Sequence, residues 1–407
     1  MSTLLIQSGR CLDVETLRLV PDTSVLVRDG RIEAMGPGLP VPEGAQVIDA
    51  RGMTVMPGLI DCHVHEVASR LNLGEVQRMP NVLATLSSLP ILEGMLMRGF
   101  TTVRDAGGAD CSMAEATRSG MVRGPRIFPS GKALSQTGGH GDFRMRNDIL
   151  EPCACSQKVG SLARVVDGVD AMRAAVREEL LKGATQIKIR ASGGVASPSD
   201  PIYYLGYSAD EIRAAVEETA NAGTYVLAHA YTARAIRRAV ELGVRTIEHG
   251  NLVDEDAARV MAERGAFMVP TLITYEALAS EGAKYGLPQA SVDKIESVRG
   301  AGIKALELLA RAGVRMGLGT DLLGESHRLQ SEELRIRAQV LGNGAVLQQA
   351  TLIGAEILGQ AGQLGVLKPG ALADVLVVDG DPLADIGCLL GQGDRIRAIV
   401  KDGQRVK

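Results

Sequence analysis

Two histidines two residues apart, His63-Val64-His65, form the first pattern in the chain that could do chemistry. On a β-strand, residues i and i+2 face the same side, so both imidazoles can grip one divalent ion. The 407 residues hold only six histidines, and His229 and His249 end two further apolar runs. One imidazole from each complements a second metal. Asp321 follows Leu318-Gly319-Thr320, where a carboxylate can ligate metal and take a proton from water. Singly, each has a plain structural alternative, a packed histidine or an N-capping aspartate. Lys188 is different. It sits inside the apolar run Gln186-Ile187-Lys188-Ile189-Arg190, where burial lowers the pKa of an amine. A neutral amine can add carbon dioxide and become a carbamate, whose two oxygens can bridge two metals. Its structural alternative is a lysine pointing outward between helices or paired with a carboxylate.

Elements must bring these residues together. The centre of the chain alternates short apolar runs with helical patterns, the signature of βα units on a parallel sheet. Eight strands are predicted, at 58–63, 101–105, 126–130, 186–191, 225–229, 246–249, 267–271 and 315–319. Between them the helices Ala209–Ala222, Thr232–Leu242 and Ile303–Ala312 end at Gly223, Gly243 and Gly313, each a C-cap candidate. Eight repeats predict an α/β fold, a TIM (β/α)8 barrel, with a doubly wound open sheet as competitor. Chemistry in such barrels gathers at the carboxyl ends of the strands, where His63, His65, His229, His249 and Asp321 fall. Both chain ends look β-rich. Asp29-Gly30 and Asp402-Gly403 are turn signals, and neither end alone buries much. Residues 1–55 and 365–407 are therefore expected to join into one small β-sandwich domain beside a barrel spanning 56–364.

Composition removes other classes. Hydrophobic residues make up 45% and charged residues 23%, with a net charge of −4. Disorder is excluded, and no electrostatic case for nucleic acid exists. No apolar run reaches about 18 residues, so no membrane span is predicted. Six cysteines are too few for a disulfide scaffold. With no basic n-region or long h-region at the start, the expected compartment is cytoplasmic. Cys153-Ala154-Cys155 reads as loop packing rather than a metal pair, and Tyr203, Tyr204 and Tyr207 as either pocket lining or a subunit contact.

His63, His65, Lys188, His229, His249 and Asp321, in that order, resemble the amidohydrolase superfamily. Val55-Met56-Pro57-Gly58-Leu59-Ile60-Asp61 and Lys368-Pro369-Gly370-Ala371-Leu372-Ala373-Asp374 extend the likeness over nearly the whole chain. The lysine marks the binuclear, carboxylated-lysine type. Ala133 through Asp142 (ALSQTGGHGD), Ala191-Ser192-Gly193-Gly194-Val195 and Ala228-His229-Ala230-Tyr231-Thr232 resemble the metal-dependent prolidases, the Xaa-Arg or Xaa-Lys dipeptidases and the ochratoxin-hydrolysing amidohydrolases. That likeness implies two zinc ions, substrate contacts by His140 and Tyr231, and a large homo-oligomer, often an octamer.

The implied chemistry is release of a C-terminal amino acid from a dipeptide or N-acyl amino acid, ochratoxin A among the candidates. His63, His65 and Asp321 would hold one zinc, His229 and His249 the other, with carboxylated Lys188 between. Asp321 would shuttle the proton. His140 and Tyr231 would stabilise the oxyanion or position a carboxylate. Arg328, beside His327 in the loop after the eighth strand, could fork the substrate carboxylate, or simply lie in a solvated loop. Two alternatives remain: a hydrolase or deaminase of a cyclic amide or nucleobase on the same metal scaffold, and a non-enzymatic barrel, which would be expected to lose ligands.

Overall fold

The computed structural model describes residues 3–144, 158–197, 200–285, 287 and 289–407. Cys153 and Cys155 lie outside the described residues.

The chain opens with β1 (Thr3–Asp13), β2 (Arg18–Arg28), β3 (Arg31–Gly36), β4 (Gln46–Asp49) and β5 (Thr54–Pro57). Asp29 and Gly30 turn β2 into β3 with φ of 48° and 82°, and Arg28 pairs with Arg31 across the turn. This is the two-residue turn that matches the twist of a hairpin.

Next come β6 (Leu59–Val64), β7 (Phe100–Asp105), β8 (Arg126–Phe128), β9 (Ala133–Ser135), β10 (Ala163–Val165), β11 (Ile187–Arg190), β12 (Val226–Thr232), β13 (Thr246–Leu252) and β14 (Phe267–Val269). They run parallel in two arcs, β6-β7-β8 and β10-β9-β11-β12-β13-β14. The residues after Val314 close the ring. Met316 bridges Met268, Gly317 N donates to Met268 O, and Cys62 N donates to Leu318 O at 2.7 Å. With β10, which pairs only with β9, set aside, the barrel has α/β character with eight staves, but the staves depart from the expected runs. The third is two pieces, because the chain kinks between Phe128 and Ala133 with Gly131 at φ +65°. β8 bonds to β7, and β9 bonds to β11. The eighth is a single bridge rather than the expected strand over 315–319.

Helices cover the outside. Ala209–Asn221 starts at a capping box, Ser208 with Glu211. Beyond its last residues, Gly223 takes φ +71°, and Gly243 does the same at +98° after the helix Ala233–Glu241. Val226, Ala228 and Ala230 of β12 join the cluster with Ile236, Ala239 and Val240 of that helix. The alternate residues Leu227, His229 and Tyr231 therefore face the barrel interior and its mouth.

The chain ends with β15 (Val375–Val378), β16 (Ile396–Lys401) and β17 (Gln404–Arg405). They continue the N-terminal strands in one sheet, β17-β16-β15-β5-β1-β2-β3, with β4 beside β1. The sheet curls: Ile32 N donates to Ala371 O and Ala373 N to Gly30 O, tying β3 back to the segment before β15. Arg126 pins it to the barrel, pairing with Asp374 at 2.6 Å and with Asp402.

Candidate active site

At the carboxyl ends of the strands the structure gathers His63, His65, Lys188, His229, His249 and Asp321. All but Asp321 are at most 2% exposed. His63, His249 and Asp321 each offer a ligand atom within 4.8 Å of the others. His65 Nε2 lies 3.3 Å from Asp321 Oδ1, and His63 Nε2 lies 3.4 Å from the same oxygen.

The hydrogen bonds fix which nitrogens are free. His65 Nδ1 donates to Gly107 O at 2.7 Å and His63 Nδ1 to the Glu248 carboxylate at 2.6 Å. In the neutral rings both Nε2 atoms then carry lone pairs, and both point at a carboxylate oxygen. Three acceptors converge with no donor among them, an arrangement that a cation relieves. His229 Nε2 donates to Gly193 O at 3.0 Å, which leaves Nδ1 free. His63 Nε2, His229 Nδ1, His249 Nε2 and Lys188 Nζ are buried without a hydrogen-bond partner. Burial holds His63, His229 and His249 below the usual histidine range. Burial pushes the Lys188 amine down to about 7, with Glu248 opposing. Burial opposes ionisation of Asp321, but His63 and its neighbours outweigh it and hold the carboxyl well below the usual range. Neutral imidazoles, an ionised carboxylate and a deprotonatable amine are the forms that ligate metal. The residues present fit a divalent-cation site.

His249 reaches this cluster by breaking the pleat. In register Glu248 lies opposite His229, and His249 opposite Ala230, which packs against the helices. A regular strand would send His249 outward. Its φ of +74° turns it in.

His140 stacks on His229 at 4.2 Å. Its Nδ1 lies 2.6 Å from Ser197 Oγ, and that hydroxyl donates to Asp200. Nδ1 therefore carries a proton, and Nε2 can donate only in the imidazolium form, with Asp200 as counter-charge. Tyr231 hydroxyl accepts from Tyr275 at 2.8 Å, so its own proton is free for a ligand.

The loop residues part company. Arg328 is exposed and pairs with Glu281, so the structure does not bring it into the cluster. His327 is buried beside Ala68 O at 3.2 Å. Tyr203 and Tyr204 are exposed, whereas Tyr207 packs in the core.

The profile of the amidohydrolase family matches residues 54–406. The chain belongs to the amidohydrolase family. It is 32% identical to ochratoxinase from Aspergillus niger over 351 residues, 82% of this chain and 71% of that protein. The crystal structure of that ochratoxinase superposes with a TM-score of 0.86 at 26% identity, covering 100% of this chain and 96% of the other. A prolidase crystallised with N-methylphosphonate-L-proline is 58% identical, with a TM-score of 0.98 and full coverage of both chains. This amidohydrolase is accordingly a hydrolase, and its fold is that of the family's TIM barrels.

The sequence reading passed over several of its residues. Glu248 ties His63 to Arg104, whose Nη2 donates at 2.8 and 2.9 Å, and all three are fully buried. A glutamate beside a candidate histidine was the available signal. Ser197, Asp200 and Tyr275, which orient His140 and Tyr231, had none. Arg190 shares the face of Lys188 by period-two spacing, the signal used for His63 and His65.

Proposed function

We propose that this amidohydrolase cleaves the amide bond of dipeptides or N-acyl amino acids and releases the C-terminal residue, with Xaa-Pro dipeptides as the first class and Xaa-Arg, Xaa-Lys and ochratoxin A next. The observation that carries the hydrolytic part is the meeting of His63 Nε2 and His65 Nε2 on Asp321 Oδ1, at 3.4 and 3.3 Å. The 58% identical prolidase with its proline phosphonate supports the leaving residue.

In this reading His63, His65 and Asp321 hold one zinc ion, and His229 and His249 hold another. Lys188 would serve the same site as a carbamate, formed when its neutral amine adds to carbon dioxide and loses a proton. When bound, divalent ions polarise the scissile carbonyl and acidify water. Asp321 accepts the proton of the water that adds to the carbonyl carbon and returns it to the leaving nitrogen. The free Tyr231 proton donates to the substrate carboxylate and so positions the amide. His140 assists only as an imidazolium balanced by Asp200 through Ser197. No helix of the described residues is long and apolar enough to cross a membrane. A cytoplasmic homo-oligomer belongs to the same proposal, and light scattering on the purified protein tests its assembly.

The test is free amino acid released from Xaa-Pro, Xaa-Arg, Xaa-Lys and N-acyl-phenylalanine substrates, with zinc and bicarbonate supplied. Proline release is expected. Absence of release from every member, with metal bound, would reject amide hydrolysis and favour a cyclic amide.

A further inference from the structure

Arg190 ends β11 two residues beyond Lys188, on the same face. It is 5% exposed and its Nε has no hydrogen-bond partner. No ion pair among the described residues engages it. A buried cation without a directly paired counter-charge is costly, so a bound anion would stabilise it. Three other cations among the described residues are occupied. Arg104 holds Glu248, Arg328 holds Glu281, and Lys294 Nζ donates to the carbonyls of Gly194, Ser197 and Asp200 at 2.8–2.9 Å.

Asp321, Tyr231 and Asp200 act on its charge, although none forms an ion pair with it. At the carboxyl end of β11 it shares the barrel mouth with the proton-transfer carboxylate and the phenol whose hydrogen is free. A planar guanidinium matches a carboxylate in two parallel hydrogen bonds, and Tyr231 can donate a third to the same group. We infer that Arg190 binds the free α-carboxylate of the substrate and thereby selects amides of C-terminal amino acids over their carboxamides and over uncharged cyclic amides. This rests on the amide-hydrolysis reading above. It assigns to Arg190 the task that sequence alone offered to Arg328. A site built for a charged partner discriminates steeply, because a neutral ligand leaves the buried charge unpaired.

The experiment compares an Xaa-Pro dipeptide with its prolinamide in the wild type and in Arg190→Gln and Arg190→Lys, with zinc content measured on each protein. The wild type should prefer the acid by about 1,000-fold or more in kcat/KM. Arg190→Gln should lose about 100-fold or more on the acid, mainly in KM, and less than about 5-fold on the prolinamide. Arg190→Lys should recover part of the loss, and zinc content should not change. Equal losses on both substrates would overturn the assignment. So would zinc loss, which would make Arg190 a partner of the carbamate on Lys188. Calorimetric binding of N-acetyl-L-proline and N-acetyl-L-prolinamide needs no turnover. If the wild type cleaves no amide yet binds the acid selectively, and Arg190→Gln does not, the subsite stands while the reaction assignment falls. Equal binding of acid and amide to both proteins overturns the subsite itself.

Discussion

Replacing Glu248 tests whether the metal-binding geometry is held from beneath. Its carboxylate accepts from His63 Nδ1 at 2.6 Å, from Arg104 Nη2 at 2.8 and 2.9 Å, and from Thr246 at 2.7 Å. In Glu248→Ala the buried Arg104 keeps only neutral acceptors, Cys62 O at 2.6 Å and the hydroxyls of Thr246 and Tyr225 at 3.0 and 3.4 Å. Stripping one partner from a buried pair costs about 3–5 kcal/mol. Glu248→Gln keeps the volume and one acceptor oxygen, so it should lose less stability. Both variants weaken the acceptor that fixes the His63 tautomer, and losses of that kind lower metal affinity about 10–100-fold. Removing Arg104 as well, in Arg104→Met with Glu248→Ala, should recover about 1–3 kcal/mol relative to the sum of the single changes. Denaturant unfolding gives the stabilities, and competition with a chelating dye gives the zinc affinity. A Glu248→Ala protein within about 1 kcal/mol of wild type, with unchanged zinc affinity, would refute the argument.

Three further outcomes are expected. Asp321→Asn should lower turnover by about 100–10,000-fold while the protein still binds zinc; turnover near wild type would remove Asp321 from proton transfer. Gly194→Ala would put a Cβ 2.2–2.5 Å from the His140 ring, which is backed by His229 and cannot retreat. About a 100-fold loss in kcat/KM with an unchanged fold by circular dichroism is expected, and full activity would show that His140 position does not matter. Asp402 is partly buried, but Arg126 and Lys401 overcome that and hold its carboxyl below the ordinary 3.8. A depressed carboxyl stabilises above its ordinary pKa, and that stability fades as pH falls through the lower folded value. Asp402→Asn should therefore be less stable than wild type at pH 6, with the gap narrowing as pH falls below 3.8; a gap independent of pH would contradict the pairing with Arg126.

What the sequence reveals depends on whether the signal is local. His63 and His65 announce themselves by spacing, and Asp29-Gly30 by turn chemistry, because two neighbouring residues carry the whole message. The break in the third stave was hidden. Ala133–Ser135 is three small or apolar residues inside a glycine-rich stretch, and its identity as a strand comes from pairing with β10 and β11. Arg104 and Glu248 are 144 positions apart, so no periodicity links them. Arg328 has the right chemistry in the right loop, but a short helix, Gly324–Leu329, aims it at Glu281. Residue type predicts what a side chain can bind, and the backbone decides whether it arrives.

His249 and Asp321 carry this point furthest. Both have left-handed backbones, at φ +74° and +52°, a conformation that costs most residues about 1–3 kcal/mol. A pleated strand can offer the barrel only every second residue, yet this site needs both Glu248, which holds His63, and His249, which offers an imidazole. The pleat must break between them. Glycine would break it most cheaply but brings no ligand atom. Asn, Asp and His are the side-chain-bearing residues enriched in this conformation, and two of them are also metal ligands. The strain is held by bonds that leave little alternative: His249 Nδ1 lies 2.8 Å from Thr271 Oγ1, and Asp321 N donates to His63 O at 2.8 Å. The second bond makes the position of Asp321 depend on the backbone of His63, whose ring it faces. The backbone strain and the convergence of acceptors therefore have one origin, a barrel mouth forced to present more functional side chains than regular strands can supply.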